Sequence, residues 1–103
     1  MTGNKFLRDC KVIIEDREAT ADERWRTAFC AGYVQGFMDE HDAWQILEET
    51  QSKQLVLFCI PDVATNQQII KIIAKYMGDH PDKLHIPASL LMEKALNIAF
   101  PCK

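Results

Sequence analysis

Between Trp25 and Phe37 two four-residue repeats run side by side. Ala28, Gly32 and Gly36 make a row of small residues, and Trp25, Phe29, Tyr33 and Phe37 make an aromatic row beside it. Residues four apart share one face of a helix, so this spacing predicts a helix with a groove next to a ridge. Each glycine inside a helix costs roughly 1 kcal/mol relative to alanine. The glycine row therefore predicts that another element approaches this backbone closely. Packing within the chain is the first reading and a subunit interface the second. Arg24, Arg26, Gln35, Asp39 and Glu40 on the same stretch mark a core helix of a soluble domain, not a membrane helix, and Cys30 sits on it as a candidate staple point.

The chain has 103 residues, which suits a single domain spanning 1–103. Its 48% apolar and 26% charged residues are those of an ordinary globular protein. A net charge of −3 with lysine and arginine scattered gives no nucleic-acid footprint. The longest apolar run, Leu-Val-Leu-Phe-Cys-Ile at 55–60, is six residues, far from the ~20 that span a bilayer. Four cysteines are the most informative count. An even number in a small domain favours two disulfides in an oxidising compartment; four reduced, buried thiols in a cytosolic protein is the alternative. No Cys-x-x-Cys pair is present, so neither a zinc ribbon nor a thioredoxin-type redox site is encoded. Met1-Thr2-Gly3-Asn4 is not a secretory signal, which leaves a cytosolic protein or a mature form with an added start methionine.

Taken in order, residues 5 to about 15 predict a first helix, with Phe6, Cys10, Ile13 and Ile14 on one side. Thr20-Ala21-Asp22-Glu23 predicts a capping box that opens a second helix running to about Glu40. The two should form an antiparallel hairpin that brings Cys10 and Cys30 to nearly the same height. Ala43, Trp44, Ile46 and Leu47 suggest a short amphipathic helix, and residues 48–53 a polar exposed stretch. Residues 55–60 read as a buried extended segment or a helical turn ending at Pro61. Thr65-Asn66-Gln67-Gln68 is a second capping box. It opens a third helix with Ile69, Ile72, Ile73, Tyr76 and Met77 inward, Lys71 and Lys75 outward, and Gly78 as C-cap. A proline-braced loop over 79–86 follows. Pro87 then starts a fourth helix with Ala88, Leu91, Met92, Ala95, Ile98 and Ala99 as its core face. The fold class is all-α: a compact single domain of four main helices.

The sequence holds no catalytic constellation. Each cysteine adjoins a core-type apolar run, so a cysteine–histidine nucleophile pair is not favoured. His80 and His85 flank one loop with only Asp79 or Asp82 as a third ligand, and a structural loop is favoured over a metal site. No cofactor is expected, and the protein is expected not to be an enzyme. Asp39, Glu40, Asp42, Glu48, Glu49 and Asp62 give the middle of the chain an acidic bias. A solvated face is the plain reading; a docking surface for a basic partner is the functional one.

Several motifs fall in one order: Cys-x-Gly-Tyr-Val-x-Gly-x-x-Asp at 30–39, Cys-Ile-Pro at 59–61 and Val-x-Thr-x-x-Gln at 63–68. Tyr-x-x-x-His-Pro-Asp-x-Leu-His-x-Pro-Ala follows at 76–88, and Ala-Phe-Pro-Cys closes at 99–102. This pattern resembles the Rap/Tai family of type VI secretion immunity proteins from Leu7 to Cys102. It departs in lacking a signal peptide and in Ala64-Thr65, where the family often has a bare Val-Thr.

The resemblance implies a small helical protein of the bacterial periplasm, often a homodimer. It implies a partner too: a type VI effector that is a papain-like cysteine amidase cutting peptidoglycan, whose active site the immunity protein blocks. It raises the expectation of disulfides, and with it we expect Cys10–Cys30 and Cys59–Cys102 among the three connectivities that four cysteines allow. An inhibitor of this kind needs a rigid plug, and two segments qualify. One is residues 39–54, with Asp39, Glu40, Asp42, Gln45, Glu48 and Glu49 around Trp44 as an aromatic anchor. The other is 79–86, whose close match to a family motif suggests a scaffold role, so the first is expected to bind the partner. Two other readings compete: a periplasmic acid-stress helical chaperone and a cytosolic adaptor with reduced thiols.

Overall fold

The computed structural model describes residues 1–51 and 58–102, without the side chains of residues 49–51. All regular elements described are helical: α1 (Gly3–Asp9), α2 (Lys11–Glu15), α3 (Ala21–Gln51), α4 (Asn66–Asp79) and α5 (Ala88–Ala99), with a 3-10 turn at Pro81–Lys83. Four of these have seven residues or more, the all-α architecture the sequence implies.

Local chemistry sets the boundaries. Thr2 caps α1 by accepting from Lys5 N–H. The expected first helix is broken at Cys10, the residue bonded to Cys30, and α2 ends on Asp16 in the left-handed conformation (φ 54°). The Thr20 box is half formed. The Glu23 carboxylate reaches back to Thr20 N–H, but Glu23 N–H goes to the Thr20 carbonyl, not to its hydroxyl. At Thr65 both halves are present. Gly78 is not the C-cap: α4 runs past it to Asp79, and His80 closes the helix by donating from Nδ1 to the Tyr76 carbonyl at 2.7 Å while stacking on the Tyr76 ring.

The largest departure is α3. The expected stop near Glu40 and the separate short helix at 43–47 are one continuous 31-residue helix. No glycine or proline lies between Gly36 and Pro61, and a polar Asp-Glu-His-Asp run does not by itself end a helix. At 1.5 Å per residue α3 is about 46 Å long, which matches the long dimension of the molecule, 46 Å.

Around this rod, α1 packs on α3 and α5, α2 on α3 and α4, and α4 against α5. Phe6, Val34, Ile73, Met77, Leu91, Met92 and Leu96 are fully buried between them. Leu96 takes the inward place expected of Ile98 and Ala99, which face out. The glycine row is the second correction. Ala28, Gly32 and Gly36 are exposed, and a Cβ added at either glycine would meet nothing within 4 Å. The inward face of α3 is Cys30, Val34 and His41, so the glycines are not used for packing within the chain.

Two disulfides tie the layers. Cys10–Cys30 (Cα–Cα 5.2 Å) lies in the core, and Cys59–Cys102 (Cα–Cα 5.1 Å) joins the segment before α4 to the end of α5 at the surface. The 55–60 run is described only from Phe58. Phe58 is buried, and Cys59 N–H pairs with the Phe100 carbonyl at 2.8 Å; the rest of the run lies outside the described residues. The 79–86 loop is fastened to the N-terminal backbone. Gly3 and Asn4 donate to the carbonyls of Ile86 and Leu84, and Ala88 donates to that of Met1. Gly3 is needed at this crossing, because a Cβ there would sit 2.7 Å from Leu91 Cδ1 and 3.1 Å from the Leu84 carbonyl oxygen.

Candidate partner-binding surface on the long helix

The second half of α3 carries the residues expected to bind a partner. Asp39, Glu40, Asp42 and Trp44 are exposed, and Gln45 and Glu48 are half-buried. Glu49 lies in α3, but its side chain is outside the described residues, as are the polar residues 52–54. Helical spacing divides the set. Glu40, Trp44 and Glu48 stand four apart and continue the Ala28–Gly32–Gly36 row, whereas Asp42 and Gln45 stand three apart and face the 60–66 turn.

Trp44 is 43% exposed, yet its indole N–H donates to Glu40 Oε1 at 3.0 Å, which fixes the ring on the helix surface. Ile46 and Leu47 are exposed beside it, and Trp25 and Phe29 are exposed at the other end of α3. Lys5 Nζ lies 4.5 Å over the Phe29 ring and binds the buried Asp9 carboxylate at 2.6 Å. The sequence holds no lysine or arginine between Arg26 and Lys53, against five acids in that interval. This half of α3 therefore carries an acidic bias.

The anchor beneath the surface is His41, which the sequence reading passed over. It is 8% exposed. Its Nε2 lies 2.9 Å from the Phe58 carbonyl, which can only accept, so Nε2 carries the proton. The ring stacks on Phe58 at 4.2 Å, and Phe58 also stacks on Phe37 at 6.0 Å. This clasp holds the middle of α3 to the segment leading into α4. The spacing 34, 37, 38, 41 was the signal that could have placed His41 on the core face.

At the start of α3, Arg17 forks onto both oxygens of Glu23 at 2.7 Å and also reaches Glu15. That charge-assisted pair holds the Glu23 carboxyl down to about 2, with the Thr20 N–H bond adding to it. A depressed carboxylate favours the folded turn above about 4.5, its ordinary value, and the gain is lost as pH falls through about 2. We expect NMR titration to place Glu23 near that value, and Glu23→Gln to remove the low-pH dependence of the turn.

Of the histidines in the 80s loop, His80 caps α4 and His85 is exposed. All four cysteines are in disulfides.

Fold and surface together define a small, disulfide-braced helical protein that presents an acidic helix edged with aromatic side chains. Residues 2–102 match the Rap1a immunity proteins, and the chain belongs to that family. No curated protein and no solved structure matches it. Membership points to immunity against a type VI effector through binding of a cognate effector, a role that is generally not enzymatic. No described helix is long and apolar enough to cross a membrane.

Proposed function

We propose that this protein binds a type VI peptidoglycan amidase, a papain-like cysteine amidase, and blocks its active site. The observation that carries the reading is the second half of α3: an acidic stretch of helix with no lysine or arginine of its own between Arg26 and Lys53, with Trp44 pinned by Glu40 on a helix clasped to the core through His41. An inhibitor needs no chemistry, only a shape presented without a large ordering cost. A long helix stapled at Cys10–Cys30 supplies that. Disulfides persist in oxidising compartments, which supports a periplasmic site of action.

The test is to mix the protein with the amidase encoded beside it and to follow both complex formation and peptidoglycan cleavage. A tight complex with lost cleavage is expected; absence of binding would overturn the reading. Glu48→Lys with Glu49→Lys should weaken binding by ~10-fold or more through lost charge complementarity. Unchanged affinity in a folded variant would move the contact away from this surface. A protein that instead protected unrelated clients at acid pH would be a chaperone.

We further propose a homodimer through the outward row of Ala28, Gly32 and Gly36, where a second α3 can approach closely. Because the space over both glycines is open, Gly32→Leu and Gly36→Leu should stabilise the monomer fold by about 1 kcal/mol each, while splitting the dimer in sedimentation. A dimer that persisted in the variants, or a monomeric parent protein, would refute this interface.

A further inference from the structure

A polar pocket of about 270 Å³ lies between α3 and the 60–66 turn, lined by Gln35, His41, Asp42, Ile60, Asp62 and Asn66 among others. Among the described residues, no lysine or arginine lines it. Gln35 and Asn66 are already engaged, since Asn66 Nδ2 donates to Gln35 Oε1 at 3.1 Å and Gln35 Nε2 donates to Asp39 at 3.0 Å. The pocket therefore keeps two carboxylates, Asp42 and Asp62, on its rim.

His41 supplies the independent sign that something is to be bound. Its Nε2–H is committed to the Phe58 carbonyl, so Nδ1 is a bare acceptor wherever the ring carries a single proton. That atom is buried and has no hydrogen-bond partner. It stands 3.7 Å from Asp42 Oδ1, an ion-pair partner when the ring is protonated and a second acceptor when it is neutral. A buried polar atom without a partner is uncommon and costly. Two acceptors turned toward one another are satisfied together by a cationic donor entering at Asp42. A guanidinium suits this place better than an ammonium, because its planar fork carries several donors that can be shared among neighbouring acceptors.

We propose that this pocket receives an arginine side chain of the effector, with Asp42 and Asp62 as its charge partners and His41 Nδ1 behind Asp42 as a further acceptor. The inference rests on the immunity reading for its partner, but the pocket's preference can be tested without the effector.

The probe is N-acetyl-arginine amide, titrated into the full chain at constant pH and followed by NMR at the His41 ring and at the Asp42 and Asp62 amides. Saturable shifts are expected, with none from N-acetyl-citrulline amide, which has the same shape without the charge. Asp42→Asn and Asp62→Asn alter exposed side chains, and each should weaken the response. His41→Gln keeps a donor for the Phe58 carbonyl while removing the ring acceptor, and should weaken it too. Against the effector, Asp42→Asn should raise Kd by ~10-fold. Equal responses to the arginine and citrulline probes, or an undiminished response in Asp42→Asn, would overturn the proposal. So would a His41 ring that answers only to pH, since the occupant would then be a proton. If wild-type protein binds the effector and the aspartate variants bind equally well, the pocket fails and immunity stands. If no effector binds while the probe titration succeeds, the immunity reading and the effector as occupant fail, and the pocket's preference for arginine stands.

Discussion

Replacing Cys59 and Cys102 together by serine is expected to lower stability by about 4 kcal/mol, the chain-entropy value for a sequence separation of 43 residues. Cys10 and Cys30 are only 20 apart, which gives about 3 kcal/mol from the loop alone. Yet the same change at Cys10 and Cys30 should cost more. Both residues are fully buried, and two serine hydroxyls placed there without partners add roughly 1–3 kcal/mol each. Alanine at the same positions avoids the hydroxyl term, so the serine–alanine difference should be large at the inner pair and small at the outer one. Urea unfolding of the four double variants measures this. Equal serine–alanine differences at the two pairs would contradict the burial reported for Cys10 and Cys30. Reductant should divide them in the same order: a phosphine at neutral pH should open Cys59–Cys102 first, because Cys59 is exposed, and leave Cys10–Cys30 until the domain unfolds.

Phe6→Ala should be the most damaging single core change, at about 3–5 kcal/mol. Phe6 is fully buried on α1, the helix set between α3 and α5. Seven residues cannot hold a helix in water alone, so α1 depends on that anchor. A domain of this size has about 5–15 kcal/mol in total, and the loss corresponds to a fall in Tm of ~15–25 °C. Phe6→Leu, which keeps most of the apolar volume, should fall by less than half as much. A drop below about 1 kcal/mol for Phe6→Ala would mean that α1 is not part of the cooperative core.

What the sequence made legible was local. The Thr65–Gln68 box, the inward Ile69, Ile73 and Met77, and the placing of Ala88, Leu91, Met92 and Ala95 follow from periodicity and capping chemistry within a few residues. Helical patterning was enough for an all-α fold, whereas the two disulfides and their pairing were expected through the family resemblance. Tertiary choices were not legible. Gly78 looked like a helix end, but the end was decided two residues later by His80 bonding and stacking back on Tyr76. Gly32 and Gly36 looked like a packing groove because a glycine row does not say which side of the helix the core occupies. Glu40 looked like a stop because its neighbours are polar, although His41 among them is buried against Phe58. The acidic residues of α3 could be listed from the sequence. That Asp42 meets the 60–66 turn while Glu40 meets Trp44 needed the helix to be continuous.

The burial of Cys10–Cys30 also fixes an order of events in the making of the protein. Disulfide exchange requires a thiolate that an oxidant can reach, and neither cysteine is exposed once the core they share with Phe6, Val34 and Met77 has formed. The first bridge must therefore be written while the hairpin of α1, α2 and α3 is still open. Cys59 and Cys102 can be joined afterwards, on a finished domain. A chain that folds before it meets an oxidase would be left half-oxidised, with its outer clasp shut and its inner one permanently unmade.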